Sequence, residues 1–272
     1  MRIALGMVLA LLAPLPASAQ EQSIVDFEGR PGVPLKMLHV EPPQAPRAAV
    51  LLLTGGGGGI RLGSASSTPL AERYARGNFL LRIRAALALR DLRVGALDVP
   101  PAMAERGMPA TFRRSAEHAQ DVAAAVARLR GPEKLPVWLV GTSMGTVSVA
   151  AAAVALGRDI DGIVLTSSIT TPIKNGPNWL PEPGGIRDFP IDRIEVPAFV
   201  LAHADDRCWA SPPGNAASLA QRFKASPRVA ARTLNGGKPP ESDECDPLSG
   251  HGFWGAEAAA ADAIADFVLA RR

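Results

Sequence analysis

Val137-Trp138-Leu139-Val140-Gly141-Thr142-Ser143-Met144-Gly145 is the stretch on which the fold of this chain is decided. Val137 to Val140 is a short apolar run without polar alternation, the pattern of a strand buried on both faces of a parallel sheet. From Met144 to Leu156 the residues are small and mostly apolar, and they read as a helix. At the boundary lies Gly141-Thr142-Ser143-Met144-Gly145, a G-x-S-x-G pattern in strand-turn-helix context. A serine at the tip of such a turn takes a strained backbone conformation, and the residues two places away must lack bulk, which glycine supplies. The helix behind it points backbone N–H groups at any oxygen reacting there. The bare pattern recurs by chance, with a glycine-rich packing turn as the alternative; its placement is what favours chemistry.

Working outward, strands and helices alternate. Ser23 to Phe27 and Leu35 to Val40 read as an opening hairpin around Gly29, Pro31 and Gly32. Ala48 to Leu53 is another continuous apolar run, ending in five glycines, Gly55 to Gly59. Phe79 to Arg90 reads as a helix and Val94 to Val99 as a strand stopped by Pro100-Pro101. Phe112 to Arg130 is a long Ala-rich helix ended by Gly131-Pro132. Strands come next at Ile160 to Thr166, Ala198 to Ala202 and Val229 to Leu234, with helices at Asn215 to Phe223 and Gly255 to Ala270. Ser168 to Pro190, rich in Pro and Gly, reads as an irregular excursion over the sheet edge. The pattern predicts an α/β fold. It is one doubly wound, mostly parallel sheet with an antiparallel N-terminal hairpin and helices on both faces, in a single domain over 20–272.

With 47% hydrophobic and 20% charged residues over 272 positions, the chain has a globular composition. Lys and Arg number 29 against 26 Asp and Glu, and no dense basic run occurs. Arg76, Arg82, Arg84 and Arg90 form the nearest cluster, spaced for the wet side of a helix, so nucleic acid is not expected as a partner. Ile60-Arg61 come directly after the glycine run, which is therefore not a P-loop, and no His/Cys/Asp cluster has metal-ligand spacing. Neither cofactor nor metal is expected. Arg2, the apolar stretch from Ile3 to about Leu12, and Ala17-Ser18-Ala19 read as an export signal cleaved after Ala19. The apolar run is too short for a membrane span, which takes about 20 residues. The mature chain is expected to be soluble and exported, periplasmic or secreted. Only Cys208 and Cys245 exist, and in an oxidising compartment they are expected to pair, with two unrelated buried thiols as the alternative.

With its elbow at Gly141–Gly145 and this alternation, the chain resembles the α/β-hydrolase superfamily over nearly all of its length after residue 19. The resemblance implies a nucleophile, an acid and a histidine in that chain order. Ser143 takes the first place. Asp206 takes the second in His203-Ala204-Asp205-Asp206-Arg207-Cys208, with Asp205 as the alternative acid. His251 takes the third in Ser249-Gly250-His251-Gly252-Phe253. His39 and His118 read as structural, and His203 as a neighbour of the acid. The resemblance also implies an oxyanion hole from the amide of Met144 and one in Thr54-Gly55-Gly56-Gly57-Gly58-Gly59. Family register points to Gly56 and then Gly57, while Thr54-Gly55 replaces the usual His-Gly and leaves the donor open.

The activity this resemblance implies is that of an esterase-like serine hydrolase, acting on a small-molecule acyl substrate through an acyl-enzyme. A peptidase or acyltransferase on the same residues competes with it, as does a non-catalytic binding protein of the same fold. The full Ser143, Asp206 and His251 set argues against the last. Trp179, Phe189, Trp209 and Trp254 read as pocket lining or as packing. Cys208 lies two residues after Asp206 and Cys245 six before His251, so a bond between them would tie the acid loop to the histidine loop. No sequence feature bears on oligomeric state.

Overall fold

The computed structural model describes residues 20–62 and 77–270; the expected export segment and Arg76 lie outside the described residues. Among the described residues eight strands form one sheet: β1 (Gln22–Glu28), β2 (Pro34–Val40), β3 (Ala48–Leu53), β4 (Leu92–Leu97), β5 (Val137–Thr142), β6 (Gly162–Thr166), β7 (Ala198–His203) and β8 (Val229–Leu234). Their spatial order is β1-β2-β4-β3-β5-β6-β7-β8. The β1–β2 and β2–β4 pairs are antiparallel and every other pair is parallel. The described helices are α1 (Phe79–Ala88), α2 (Ala110–Arg113), α3 (Ala116–Arg130), α4 (Gly145–Leu156), α5 (Ala216–Ala220) and α6 (Glu257–Leu269).

The apolar runs form central strands because helices cover both faces of the sheet. In β3, Ala49, Leu51 and Leu53 pack into one core layer with Val122 and Leu129 of α3 and Val147 and Ala150 of α4. Ala48, Val50 and Leu52 face the other way, into a layer with Leu80 and Ile83 of α1 and Ala261 and Ile264 of α6. Each Leu, Ile or Val buried there contributes about 1.5–3 kcal/mol relative to exposure. The edge strands differ: β1 and β8 leave several residues in solvent.

Two helices depart from the sequence reading. The expected helix over Phe112 to Arg130 is two, α2 and α3, separated at Arg114-Ser115. Ser115 leaves helical geometry and accepts from the amide of His118, which caps α3 as a new start. The expected helix over Asn215 to Phe223 shortens to Ala216–Ala220. The excursion after β6 carries an isolated bridge between Ile173 and Leu180, and it sends Leu180, Ile186 and Phe189 into the core layer of α4.

From β3 the chain runs through α1 to β4 on one side, then crosses to β5 on the other side of β3. The segments after β3 and β5 therefore leave adjacent strands in opposite directions, which opens a crevice at the carboxyl ends of those strands. Thr54–Gly59 and Ser143 occupy those two ends.

Candidate active site

Ser143 sits between the end of β5 and the start of α4 with φ 52°, a conformation few non-glycine residues adopt. The neighbouring glycines are required by contact. A Cβ on Gly141 would lie 2.6 Å from the Gly145 carbonyl oxygen, and one on Gly145 would lie 1.9 Å from that of Leu53. Helix α4 thus presses its first turn onto the ends of β3 and β5, and Ser143 projects from the resulting corner, half-buried. On the β3 side, a Cβ on Gly55 would lie 3.0 Å from Ser143 Cβ. The amides of Met144, Gly55, Gly56 and Gly57 donate to no group among the described residues. Thr54 closes this loop on itself by donating its hydroxyl to the Gly58 carbonyl at 2.8 Å.

Past β7 the chain turns so that Asp206 faces inward and Asp205 outward. Asp206 is 5% exposed, and its Oδ2 and Oδ1 lie 3.1 and 3.3 Å from His251 Nδ1. Asp205 is exposed, and its amide donates to His203 Nδ1 at 3.1 Å. That leaves His203 Nε2–H to donate to the Gly236 carbonyl at 2.9 Å, so His203 fastens the acid loop to the segment after β8. The histidine turn lies directly on the acid loop, since a Cβ on Gly250 would come within 2.2 Å of the Asp205 carbonyl oxygen. Cys208 and Cys245 are joined in a disulfide across the same two loops.

The carboxylate decides the tautomer of His251. A lone pair on Nδ1 facing Asp206 would be repelled, so Nδ1 carries the proton and Nε2 the lone pair. Ser211 Oγ, 2.9 Å from Nδ1 and 2.9 Å from Asp206 Oδ2, then accepts from the imidazole and donates to the carboxylate. The Cys208 amide donates to Asp206 Oδ1 at 3.0 Å. His251 Nε2 is buried and hydrogen-bonded to no described group. His39 and His118 stand apart. His39, on β2, lies 3.5 Å from Glu41, and burial lowers its pKa. His118, in α3, packs against Phe112, and burial, helped by the charges of Arg113 and Arg30, lowers its pKa to about 3.

The end of β6 joins the three segments. The Ser143 amide donates to the Thr166 carbonyl at 3.1 Å. Ser167 donates its amide to Leu201 of β7, the strand leading to Asp206, and its hydroxyl to the His251 carbonyl at 2.7 Å. Ser167 is buried at φ 43°, a second strained serine. Ser167 and Ser211 escaped the sequence reading because a lone serine in a loop carries no motif. Among the aromatic residues, Phe189 and Trp254 pack under Arg114 and Arg82, whereas Trp179 and Trp209 are exposed. Among the described residues no group of three His, Cys, Asp or Glu side chains could hold a metal ion, and no helix is long and apolar enough to cross a membrane.

The architecture matches solved structures over most of its length. Est1E from Butyrivibrio proteoclasticus superposes with a TM-score of 0.59 at 13% identity, covering 91% of this chain and 98% of that one. A dienelactone hydrolase from Anabaena variabilis gives 0.59 at 14%, covering 92% and 97%. An esterase from Pyrococcus furiosus gives 0.60 at 16%, covering 97% and 96%. The chain has the α/β-hydrolase fold. No family model and no curated protein matches the sequence. At such low identities the likeness carries the α/β-hydrolase fold alone. Onto that fold this chain brings Ser143 after β5, Asp206 after β7 and His251 before α6.

Proposed function

We propose that the protein is a serine hydrolase cleaving an ester or similar acyl bond, with Ser143 as nucleophile, His251 as general base and Asp206 as the acid that orients it. The observation that carries this reading is the buried Asp206–His251 pair, whose Nε2 has no partner among the described residues while a serine at φ 52° stands at the same sheet end. His251 Nε2 takes the proton of Ser143 Oγ as the oxygen bonds to the acyl carbon. The carbonyl becomes an oxyanion held by the amides of Met144 and Gly56, with Gly57 as the alternative donor; each such donor is worth about 3 kcal/mol. His251 returns the proton to the departing alcohol, and a water molecule repeats the sequence to release the acid. Ser143 and His251 are not hydrogen-bonded to each other before substrate binds, and such catalytic contacts commonly tighten only in the complex. The esterase and the dienelactone hydrolase among the superposed structures favour an acyl bond as the target.

The test is labelling by a fluorophosphonate probe, expected for the wild type and lost in Ser143→Ala, with a p-nitrophenyl ester series defining acyl length. Folded wild-type protein that neither labels nor hydrolyses any ester would leave a binding protein of this fold. We also read residues 1–19 as an export signal, a reading with which the Cys208–Cys245 disulfide is compatible. Sequencing the N-terminus of the exported protein is expected to begin at Gln20.

A further inference from the structure

Beneath the glycine loop lies a cation that the chemistry above does not use. Arg113, the last residue of α2, is 0% exposed and forms no ion pair among the described residues. The other deeply placed arginines differ: Arg93 meets Glu41 and Glu133, and Arg82 meets Glu257. Burial lowers the Arg113 pKa to about 10, which leaves it charged at neutral pH, while the adjacent His118 stays neutral. Holding an unpaired charge inside a protein costs several kcal/mol. A position that tolerates this cost invites a functional explanation.

The described acceptors of Arg113 are all neutral, and they surround the candidate oxyanion hole. Its guanidinium donates to the Gly56 carbonyl at 2.8 Å and to the Thr54 carbonyl at 3.4 Å. It also donates to Ser148 Oγ, in the first turns of α4, at 2.9 Å. The contact needs a bare backbone, since a Cβ on Gly58 would lie 2.8 Å from Arg113 Nη2. In a trans peptide the carbonyl of one residue and the N–H of the next point in opposite directions. Drawing the Thr54 and Gly56 carbonyls down onto Arg113 therefore turns the N–H groups of Gly55 and Gly57 away from it. The Gly55 carbonyl accepts from the Gly58 amide at 2.9 Å, which turns the Gly56 N–H away from Gly58. All three amides are left without a described acceptor.

We infer that Arg113 is a positioning residue of the oxyanion hole: it fixes the peptide planes of the Thr54–Gly58 loop from below and sets a buried positive charge behind the developing oxyanion. The inference rests on the serine-hydrolase reading and deepens it. A charge in this dry setting is screened little and needs no reorganisation when the oxyanion forms, so its effect falls on the transition state more than on substrate binding.

The experiment compares wild type, Arg113→Met and Arg113→Lys in p-nitrophenyl ester hydrolysis and in binding of an aryl boronic acid, whose adduct mimics the tetrahedral intermediate. Replacing a buried ion by an apolar side chain is often tolerated, so Arg113→Met is expected to fold, as circular dichroism checks. It is expected to lose kcat and boronate affinity together, by about ten- to hundredfold, with KM within about threefold. Arg113→Lys, which keeps the charge without the planar fork, is expected to recover part of both. A folded Arg113→Met with wild-type kcat and boronate affinity overturns the inference. If that variant does not fold, Arg113→Lys decides: lowered kcat and boronate affinity at constant KM sustain the inference, and wild-type values overturn it. A wild type that neither takes a fluorophosphonate nor binds the boronate removes the hydrolase reading itself, an outcome distinct from an active wild type beside an insensitive Arg113 variant.

Discussion

Asp206 accepts from Cys208 N, Ser211 Oγ and His251 Nδ1, so its charge is fully engaged on one side of the imidazole. Asp206→Asn keeps the shape but lets Nδ1 accept from the amide, which puts the proton on Nε2, where the proposed base needs a lone pair. A loss of about three to four orders of magnitude in kcat is expected, measured with a p-nitrophenyl ester. Asp205→Asn, changing an exposed side chain, is expected to stay within about twofold of wild type. The sequence preferred Asp206 of two adjacent aspartates only by family register. It could not decide the matter from the residues, because a one-residue shift at a strand end reverses which side chain faces inward. Arg113, Ser167 and Ser211 were invisible for another reason. Their roles come from what long-range folding places around them, and no local pattern distinguishes them.

At the scale of elements, what was legible was what repeats locally: apolar runs for the central strands, small residues for α4, and the G-x-S-x-G junction between them. Less legible was where one helix yields to the next. The break before α3 comes from Ser115 capping the backbone in competition with continued helix, and periodicity does not register that. The tightest junction lies between α4 and β3, at Gly145. Gly145→Ala places a methyl group against backbone, where nothing flexible can yield, and is expected to destabilise by about 3 kcal/mol or more, or to abolish soluble expression. Urea denaturation monitored by circular dichroism measures it.

For the whole molecule, His118 is one contributor to stability toward acid. Its pKa in the folded protein, about 3, lies below the ordinary 6.5, so the unfolded chain takes up the proton first as pH falls. Its contribution is intact above about pH 6.5 and is lost progressively down to about pH 3. Between pH 7 and pH 4 the loss is of order 3 kcal/mol. His118→Leu is expected to remove that part of the decline in urea unfolding at the two pH values, whatever its effect at pH 7. The disulfide also acts on the molecule as a whole, because it closes a loop with a sequence separation of 37 and so restricts the unfolded chain. Replacing both cysteines with serine is expected to lower unfolding free energy by about 4 kcal/mol, as denaturant titration would measure.

The end of β6 has a mechanical consequence. Thr166 and Ser167, adjacent in the chain, hold the backbone of Ser143, the strand leading to Asp206 and the backbone of His251 at one abutment. Breathing of the sheet at that point carries all three as passengers on one platform. The distances separating them are then expected to fluctuate less than their positions in the molecule, so that alignment outlasts thermal motion that would scatter groups anchored independently.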